Sequence, residues 1–244
     1  MQREKLVLVP GMMCDARLFA PQIAALSARH DVTVCVPAGE RTIAALAGRV
    51  LDAAGAGPIN LAGLSMGGIV AMAVAALSPE RVRRLALLDT NHRADPPERR
   101  PIREAQSEKV RDGALRAVII EEMKPNYLAA ANRSDQALLD LLVTMALDLG
   151  AEAFVDQSIA LRDRPDQSAA LSGFAGPALV LCGAEDALCP PERHHEIAEL
   201  LPDPRLVVVP GAGHISTLEE PLAVTEALAD WLARPAAGPL AGDG

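Results

Sequence analysis

Aromatic residues are scarce: three Phe, one Tyr and one Trp in 244 residues, 2% in all. Stacking platforms for single-stranded nucleic acid depend on such side chains, and here Phe19, Tyr127, Phe154, Phe174 and Trp231 are scattered. Basic charge is also short. Lys and Arg total 23 against 32 Asp and Glu, a formal net charge of −9, and a surface of that sign repels phosphate backbones and anionic lipid heads. Neither nucleic acid nor a membrane is an expected partner. Long apolar runs are missing as well. Gly67 to Leu77, the longest nearly unbroken one, is about half a membrane span. The apolar stretch Leu6 to Val9 stops at Pro10 and Gly11, far short of a signal peptide's apolar segment. The expectation is a cytoplasmic protein. Its four cysteines, Cys14, Cys35, Cys182 and Cys189, show neither metal-ligand spacing nor a secretory context, so reduced thiols are expected. Gly and Pro (18 and 19 residues) stay below the level of low complexity.

What is present is a 50% hydrophobic chain whose core must be filled by Ala, Leu, Val, Ile and Met. Short runs of β-branched residues and Leu recur, each bounded by Pro or Gly: Leu6 to Val9, Val32 to Val36, Pro58 to Leu61, Val82 to Leu88, Ala178 to Leu181 and Leu206 to Val209. They are apolar without alternation, which predicts strands of a parallel sheet buried on both faces. Helical patterns lie between them: Ala20 to Ala28, Ile43 to Ala53, Met66 to Leu77, Pro191 to Leu201 and Pro221 to Leu232. Strand and helix in alternation give an α/β fold with a doubly wound, mostly parallel sheet of about six strands. The alternation stops between about Asn91 and Ala175. That stretch opens with Arg93, Asp95, Pro96, Pro97, Glu98, Arg99, Arg100 and Pro101, then shows helical periodicity over Ala114 to Met123, Asp135 to Leu149 and Ala151 to Leu161. The expected division is a core of residues 1–91 and 176–234, a helical lid of 92–175 over the ligand crevice, and a disordered tail of 235–244. The plainer alternative has these helices simply covering one sheet face.

The strongest local signal is Gly63-Leu64-Ser65-Met66-Gly67-Gly68, which follows an expected strand and opens an expected helix. Gly-x-Ser-x-Gly in that context forces the serine into unusual backbone angles on a sharp turn, with small neighbours relieving the crowding. A glycine-rich turn with an incidental serine is the bland alternative. A phosphate loop is excluded because no Lys-Ser/Thr follows Gly68. A hydroxyl is a weak nucleophile until a base takes its proton, so Ser65 requires a histidine. His30, His92, His194 and His195 read as solvated surface. His214 differs: it sits in Gly211-Ala212-Gly213-His214, just past the last expected strand, at the carboxyl edge where Ser65 must be. The imidazole in turn needs an acceptor for its second N–H. Asp186, just past the penultimate strand, is ranked first; Glu185 and Asp89 remain alternatives by spacing.

With those residues in view the chain resembles the α/β-hydrolase fold superfamily, in which serine, acid and histidine follow in that order. Gly-Leu-Ser-Met-Gly-Gly, Cys-Gly-Ala-Glu-Asp with its following Pro-Pro, and Gly-Ala-Gly-His with the later Leu-Glu-Glu-Pro221 are similar to the branch of small carboxylesterases, enol-lactonases and cofactor-free haloperoxidases. Two features depart from it. Leu6 to Val9 already occupies the first central strand, so the usual preceding hairpin is missing. The following loop reads Pro10-Gly11-Met12-Met13-Cys14-Asp15 where members often have His-Gly. The resemblance implies an oxyanion hole from the backbone N–H groups of Met12 and Met66, with supporting bonds from Asp15 as one option. It implies a serine carboxylester hydrolase acting on small to medium, mainly apolar acyl groups through an acyl-enzyme, without metal or organic cofactor. Met13, Leu142 and Met145 are expected in the substrate pocket, beside Met12, Met66 and Met123. The same triad also fits an enol-lactonase, thioesterase, carbon–carbon lyase or perhydrolase, and the scaffold could serve a non-enzymatic ligand-binding protein. Arg93, Arg99, Arg100, Arg103 and Lys124 read as a solvated face, with carboxylate binding as the alternative. Nothing in the pattern demands an oligomer.

Overall fold

The computed structural model describes residues 3–236; most of the tail expected to be disordered, residues 237–244, lies outside them. The apolar runs form six parallel strands: β1 (Glu4–Val9), β2 (His30–Val34), β3 (Ile59–Leu64), β4 (Val82–Leu88), β5 (Ala178–Gly183) and β6 (Pro204–Val209), in the order β2-β1-β3-β4-β5-β6. All neighbours pair in parallel. The missing alternation has a direct cause. In β1, Val7 and Val9 pack into one apolar layer while Leu6 and Leu8 pack into the other, and in β5 Ala178 and Val180 oppose Leu179 and Leu181 in the same way. Side chains point alternately to the two faces, and both faces are covered. The edge strands depart from that expectation: β2 and β6 are only part-buried along most of their length, because each lacks a second neighbour.

One face carries α2 (Ile43–Ala54), α3 (Met66–Leu77) and α8 (Pro191–Leu200); the other carries α1 (Ala20–Leu26) and α10 (Pro221–Ala233), whose Trp231 is fully buried. The short α9 (Ser216–Glu219) precedes α10. With few aromatics, the layers are close-packed aliphatic side chains. Burial of each stabilises by roughly 1.5–3 kcal/mol against exposure.

The segment joining β4 to β5 contains no strand among the described residues. It comprises α4 (Arg100–Arg111), the single turn α5 (Leu115–Ala117) running into a π-helical turn Val118–Met123, the long α6 (Gln136–Arg162) and the short α7 (Ser168–Ser172). Helix α6 breaks at Gly150, whose φ of 84° and ψ of 176° are non-helical, where the two sequence periodicities also part. Helix α4 lies where the sequence showed only a charged run, because its buried stripe is Arg103, Ser107 and Val110. The apolar Val110, Val118, Ile119, Val143, Phe154 and Met13 form a separate small core within this segment.

Register fixes where loops converge. Val9 pairs Gly63, Leu64 pairs Leu88, Leu88 pairs Leu181, and Gly183 pairs Val209. Five strands therefore end at one rim. The chain passes from β1 to β2 on one side and then from β2 across to β3 on the other side of β1, so a crevice opens at the carboxyl ends of β1 and β3.

Candidate active site

Ser65 tops the turn from β3 into α3 with φ 55° and ψ −117°, angles that cost about 1–3 kcal/mol and persist only where the surroundings fix them. They are fixed on both sides: Ser65 N–H donates to the Leu88 carbonyl at 2.9 Å, and Thr90 Oγ1 donates to the Ser65 carbonyl at 2.7 Å. The flanking glycines are required by contact. A Cβ on Gly63 would fall on the Gly67 carbonyl, and one on Gly67 on the Val9 carbonyl. Met13 (φ 57°) and Asp89 (φ 45°) are the other non-glycine residues with positive φ among those described, and both lie at the same rim.

His214 follows β6 and is buried. Its Nε2 lies 2.9 Å from Ser65 Oγ, and its Nδ1 lies 2.9 Å from Asp186 Oδ2. Asp186 Oδ1 accepts N–H groups of Leu188 and Cys189, both at 2.9 Å. Burial alone raises the Asp186 carboxyl, but the His214 charge, its hydrogen bond and the two amides outweigh burial, and the net shift is downward. Burial likewise opposes protonation of His214, and the Asp186 charge and hydrogen bond overcome it, moving the imidazole above its ordinary 6.5. Each half of the pair favours the charged form of the other.

The other acids are engaged elsewhere. Glu185 accepts the Ala130 N–H at 2.8 Å. Asp89 is buried and accepts Ser216 Oγ–H at 2.5 Å and Gly183 N–H at 2.9 Å; burial first, then the nearby Asp186 charge, raise its carboxyl well above the usual range. Two histidines expected at the surface are buried. His194 Nε2 accepts the Thr90 N–H at 2.9 Å, and burial depresses the ring to about 4. His92 is 4% exposed, and burial lowers it too.

The loop that carries His214 is held at its backbone by the β4–β5 segment. His214 N–H donates to the Tyr127 carbonyl at 2.8 Å. The Glu219 carboxylate accepts Gly213 N–H at 2.8 Å and Ala129 N–H at 2.7 Å, tying the loop to the β4–β5 segment.

Ser65 and His214 open onto a cavity of about 160 Å³ lined also by Gly11, Met12, Cys14, Leu64, Met66 and Ile69 on the sheet side. Met12 and Met66 are therefore at the cavity, and among the described residues neither N–H has a protein acceptor. The support of the Met12 loop comes from an unforeseen residue. Gln157 Oε1 accepts the Met13 N–H at 2.9 Å while its Nε2 donates to the Pro37 carbonyl at 2.8 Å; no sequence signal marks a glutamine within α6 for this task. Asp15 instead caps the next turn through Arg17 N–H at 2.9 Å. Met13, Leu142 and Met145, expected in the pocket, do not line it. Met13 turns away into the small core and the other two pack under the sheet, because amphipathic periodicity marks burial without distinguishing a core from a cavity wall. Met123 does reach the cavity, together with Arg99, Arg103 and Arg164; Arg103 is buried, against the solvated face expected of it, while Arg99 is exposed at the cavity's edge.

All four cysteines are free and buried. Among the described residues one group has metal-ligand atoms close together, Asp186, Cys189 and His214, within 4.8 Å. Asp186 and His214 already face each other there, and burial holds the Cys189 thiol protonated by raising it well above its usual range. The Asp186 and His214 members of that set are engaged in hydrogen bonds with each other and with Ser65. No helix among the described residues is long and apolar enough to cross a membrane.

Comparison with known proteins agrees with this geometry. The family model described as alpha/beta hydrolase fold matches residues 38–221. RutD of Azorhizobium caulinodans, assigned as a carbamate hydrolase, is 30% identical over 252 residues, covering 91% of this chain and 89% of its own. A thermophilic esterase from Thermogutta terrifontis superposes with a TM-score of 0.86 at 31% identity, over 94% of this chain and 89% of that one. The enol-lactonase from Burkholderia xenovorans LB400 gives 0.86 at 27% identity, over 96% and 93%. The chain thus belongs to the alpha/beta hydrolase fold family and is a hydrolase of that family.

Proposed function

We propose that the protein is a serine hydrolase that cleaves small carboxylic esters through an acyl-enzyme on Ser65. One observation carries this reading: hydroxyl, imidazole and carboxylate stand in a continuous hydrogen-bonded series that ends in the cavity. Ser65 Oγ attacks the ester carbonyl carbon as His214 Nε2 takes its proton, while Asp186 holds the ring's tautomer and stabilises the imidazolium. The N–H groups of Met12 and Met66 receive the negative charge that develops on the carbonyl oxygen. The carbon–oxygen bond to the leaving alcohol breaks as His214 returns the proton to that oxygen. Water then attacks the acyl carbon, gives a proton to His214, and the acid departs as Ser65 regains its hydrogen.

The apolar wall near the nucleophile, Leu64, Ile69, Leu161, Leu188 and Ile215, suits a short acyl chain, and about 160 Å³ lies below the roughly 300–1,000 Å³ typical of sites for drug-sized ligands. Residues 92–175 serve in this reading as a lid over the core of 1–91 and 176–234. A lactone is the second reading, favoured by the likeness to the enol-lactonase; the same attack then opens a ring and keeps the alcohol on the acyl group.

The test is hydrolysis of short nitrophenyl esters by the wild type and Ser65→Ala. The variant folds and loses roughly 10⁶-fold in kcat, the cost of such a nucleophile in a well-studied protease. A fluorophosphonate adds one adduct per wild-type chain and none to the variant. Turnover by Ser65→Ala near the wild-type rate overturns the assignment.

A further inference from the structure

The charge of the cavity runs against the charge of the protein. The chain carries −9 overall, yet the cavity wall facing the nucleophile presents Arg99, Arg103 and Arg164 with Glu122 as the single carboxylate. That carboxylate is already satisfied: Glu122 accepts Lys109 Nζ at 2.7 Å and Gln106 Nε2 at 3.2 Å. The arginines are a built feature. Arg103 donates from Nε and Nη2 to the two Asp95 oxygens at 2.6 and 3.2 Å, and Arg164 Nη1 lies 2.7 Å from Asp95 Oδ1. Side-chain exposure is 10% for Arg103, 7% for Arg164 and 2% for Asp95. Arg164 Nε is tied down by the Arg93 carbonyl at 2.9 Å.

Burying charge is costly unless it is compensated. One buried carboxylate here serves two buried guanidiniums, and Arg99, one helical turn before Arg103, has no carboxylate partner among the described residues. The wall is therefore left with a surplus of positive charge, two guanidiniums of it buried and the third, Arg99, exposed at the cavity's edge. A cluster that served only to brace the fold would balance its charges. Asp95 instead holds two guanidinium planes in place at the cavity, Arg164 being pinned further by its Nη1 donating to the Leu161 carbonyl at 3.3 Å. Asn91, Gln106 and Asn126 add neutral hydrogen-bonding groups to the same cavity.

We propose that this wall is an anion subsite for a second carboxylate on the substrate, so that the enzyme acts on short half-esters of dicarboxylic acids. The inference rests on the esterase reading above and names its substrate class. Arg99 at the cavity mouth is the direct ligand, with Arg103 and Arg164 supplying a fixed field behind it. A planar carboxylate matches the guanidinium fork, and the cavity's size restricts the chain between the two carbonyl groups to a few carbons.

The experiment compares monomethyl and dimethyl esters of dicarboxylic acids of four to seven carbons, by kcat/KM, on the wild type, Arg99→Gln and Arg99→Lys. The wild type prefers the half-ester to the diester of the same acid. Arg99→Gln lowers that preference by about 10- to 100-fold, the size of a lost hydrogen bond to a charged group, and Arg99→Lys restores part of it. Equal kcat/KM for half-ester and diester in the wild type, or a ratio unmoved by Arg99→Gln, overturns the subsite, and so does a preference for a phosphonate-bearing ester over every half-ester. Calorimetric binding of glutarate to Ser65→Ala and to Ser65→Ala/Arg99→Gln gives a readout free of turnover. Binding that depends on Arg99 supports the subsite even if no ester is cleaved, which would sink the esterase reading alone. Cleavage of neutral diesters that depends on Ser65, without glutarate binding, sinks the subsite alone.

Discussion

The two walls of the cavity are built by different physics. The sheet-side wall is main chain and small residues: Gly63 and Gly67 pressed against neighbouring carbonyls, Ser65 in a strained turn, the two unengaged N–H groups of Met12 and Met66, and His214 fixed by Tyr127 and Glu219. The opposite wall, from the β4–β5 segment, is long side chains: Arg99, Arg103, Gln106, Glu122, Met123, Arg164. Backbone packed this closely cannot be re-aimed without moving strands, whereas side chains on helices can be exchanged singly. In the proposed reading the first wall serves the bond chemistry common to every ester, and the second the choice among them. Substitutions on the sheet side should change the rate for all substrates alike, and those on the helical side should change ratios between substrates.

The largest break in that comparison is expected at Asp186. Asp186→Asn leaves a hydrogen-bonding group in place but favours the wrong tautomer of His214, and should lower kcat roughly 10⁴-fold for every substrate, as in a protease with the same three-residue logic. The pH profile identifies the cause. His214 must be neutral to accept the Ser65 proton. Because Asp186 raises it above 6.5, wild-type kcat/KM should fall as pH drops through an apparent value above 6.5. In Asp186→Asn, burial acts with less opposition and that acidic limb should move to lower pH. A limb that stays in place would mean that another group titrates there, with the raised Asp89 the first candidate.

Gln157 tests the boundary between the walls, because it belongs to α6 and yet acts on the sheet side. It accepts the Met13 N–H, and Met13 has φ 57°, so Gln157 anchors the peptide that directly follows Met12 and thereby steadies the turn that carries the Met12 N–H. Gln157→Ala should lower kcat about 10- to 100-fold with little change in KM, since a misaimed oxyanion donor is felt in the transition state. The loss should be the same for half-esters and diesters. A loss confined to one class would place Gln157 among the selectivity residues. The stranded Met13 N–H and Pro37 carbonyl should also cost roughly 1–3 kcal/mol of stability each, read in urea denaturation.

Legibility in the sequence divides along the same line. The strands, α3 at Met66–Leu77 and the residues Ser65, Asp186 and His214 could be read because backbone crowding demands glycine at fixed offsets and because the loops after parallel strands share one rim. Between Asp186 and its alternatives spacing alone could not choose; the structure separates them by partner, His214 for Asp186, Ala130 N–H for Glu185, Ser216 and Gly183 for Asp89. The helical wall was largely hidden. Arg103 looked like one of a solvated run since its partner Asp95 stands eight positions earlier, a spacing with no helical meaning. Gln157 was invisible because Met13 is 144 residues away. Met13, Leu142 and Met145 misled for the converse reason, being buried in cores that the sequence cannot tell from a pocket.

The smallest expected effect lies within the helical segment itself, at the break in α6. Gly150 combines φ 84° with ψ 176°, a conformation that side chains of L-residues avoid. Nothing lies within 4 Å of where its Cβ would be, so Gly150→Ala adds backbone strain and no collision. The strain of about 1–3 kcal/mol should lower the melting temperature by roughly 2–4 °C per kcal/mol for a chain of this size. The break divides α6 into the half that carries Leu142 and Met145 and the half that carries Gln157. If the break only joins two independently packed helices, kcat/KM for half-ester and diester should both stay within about twofold of wild type while the melting temperature falls. If the melting temperature falls and kcat drops for both esters, as for Gln157→Ala, the angle at Gly150 is part of what aims Met12, and the sheet-side wall extends further into the helical segment than its contacts indicate.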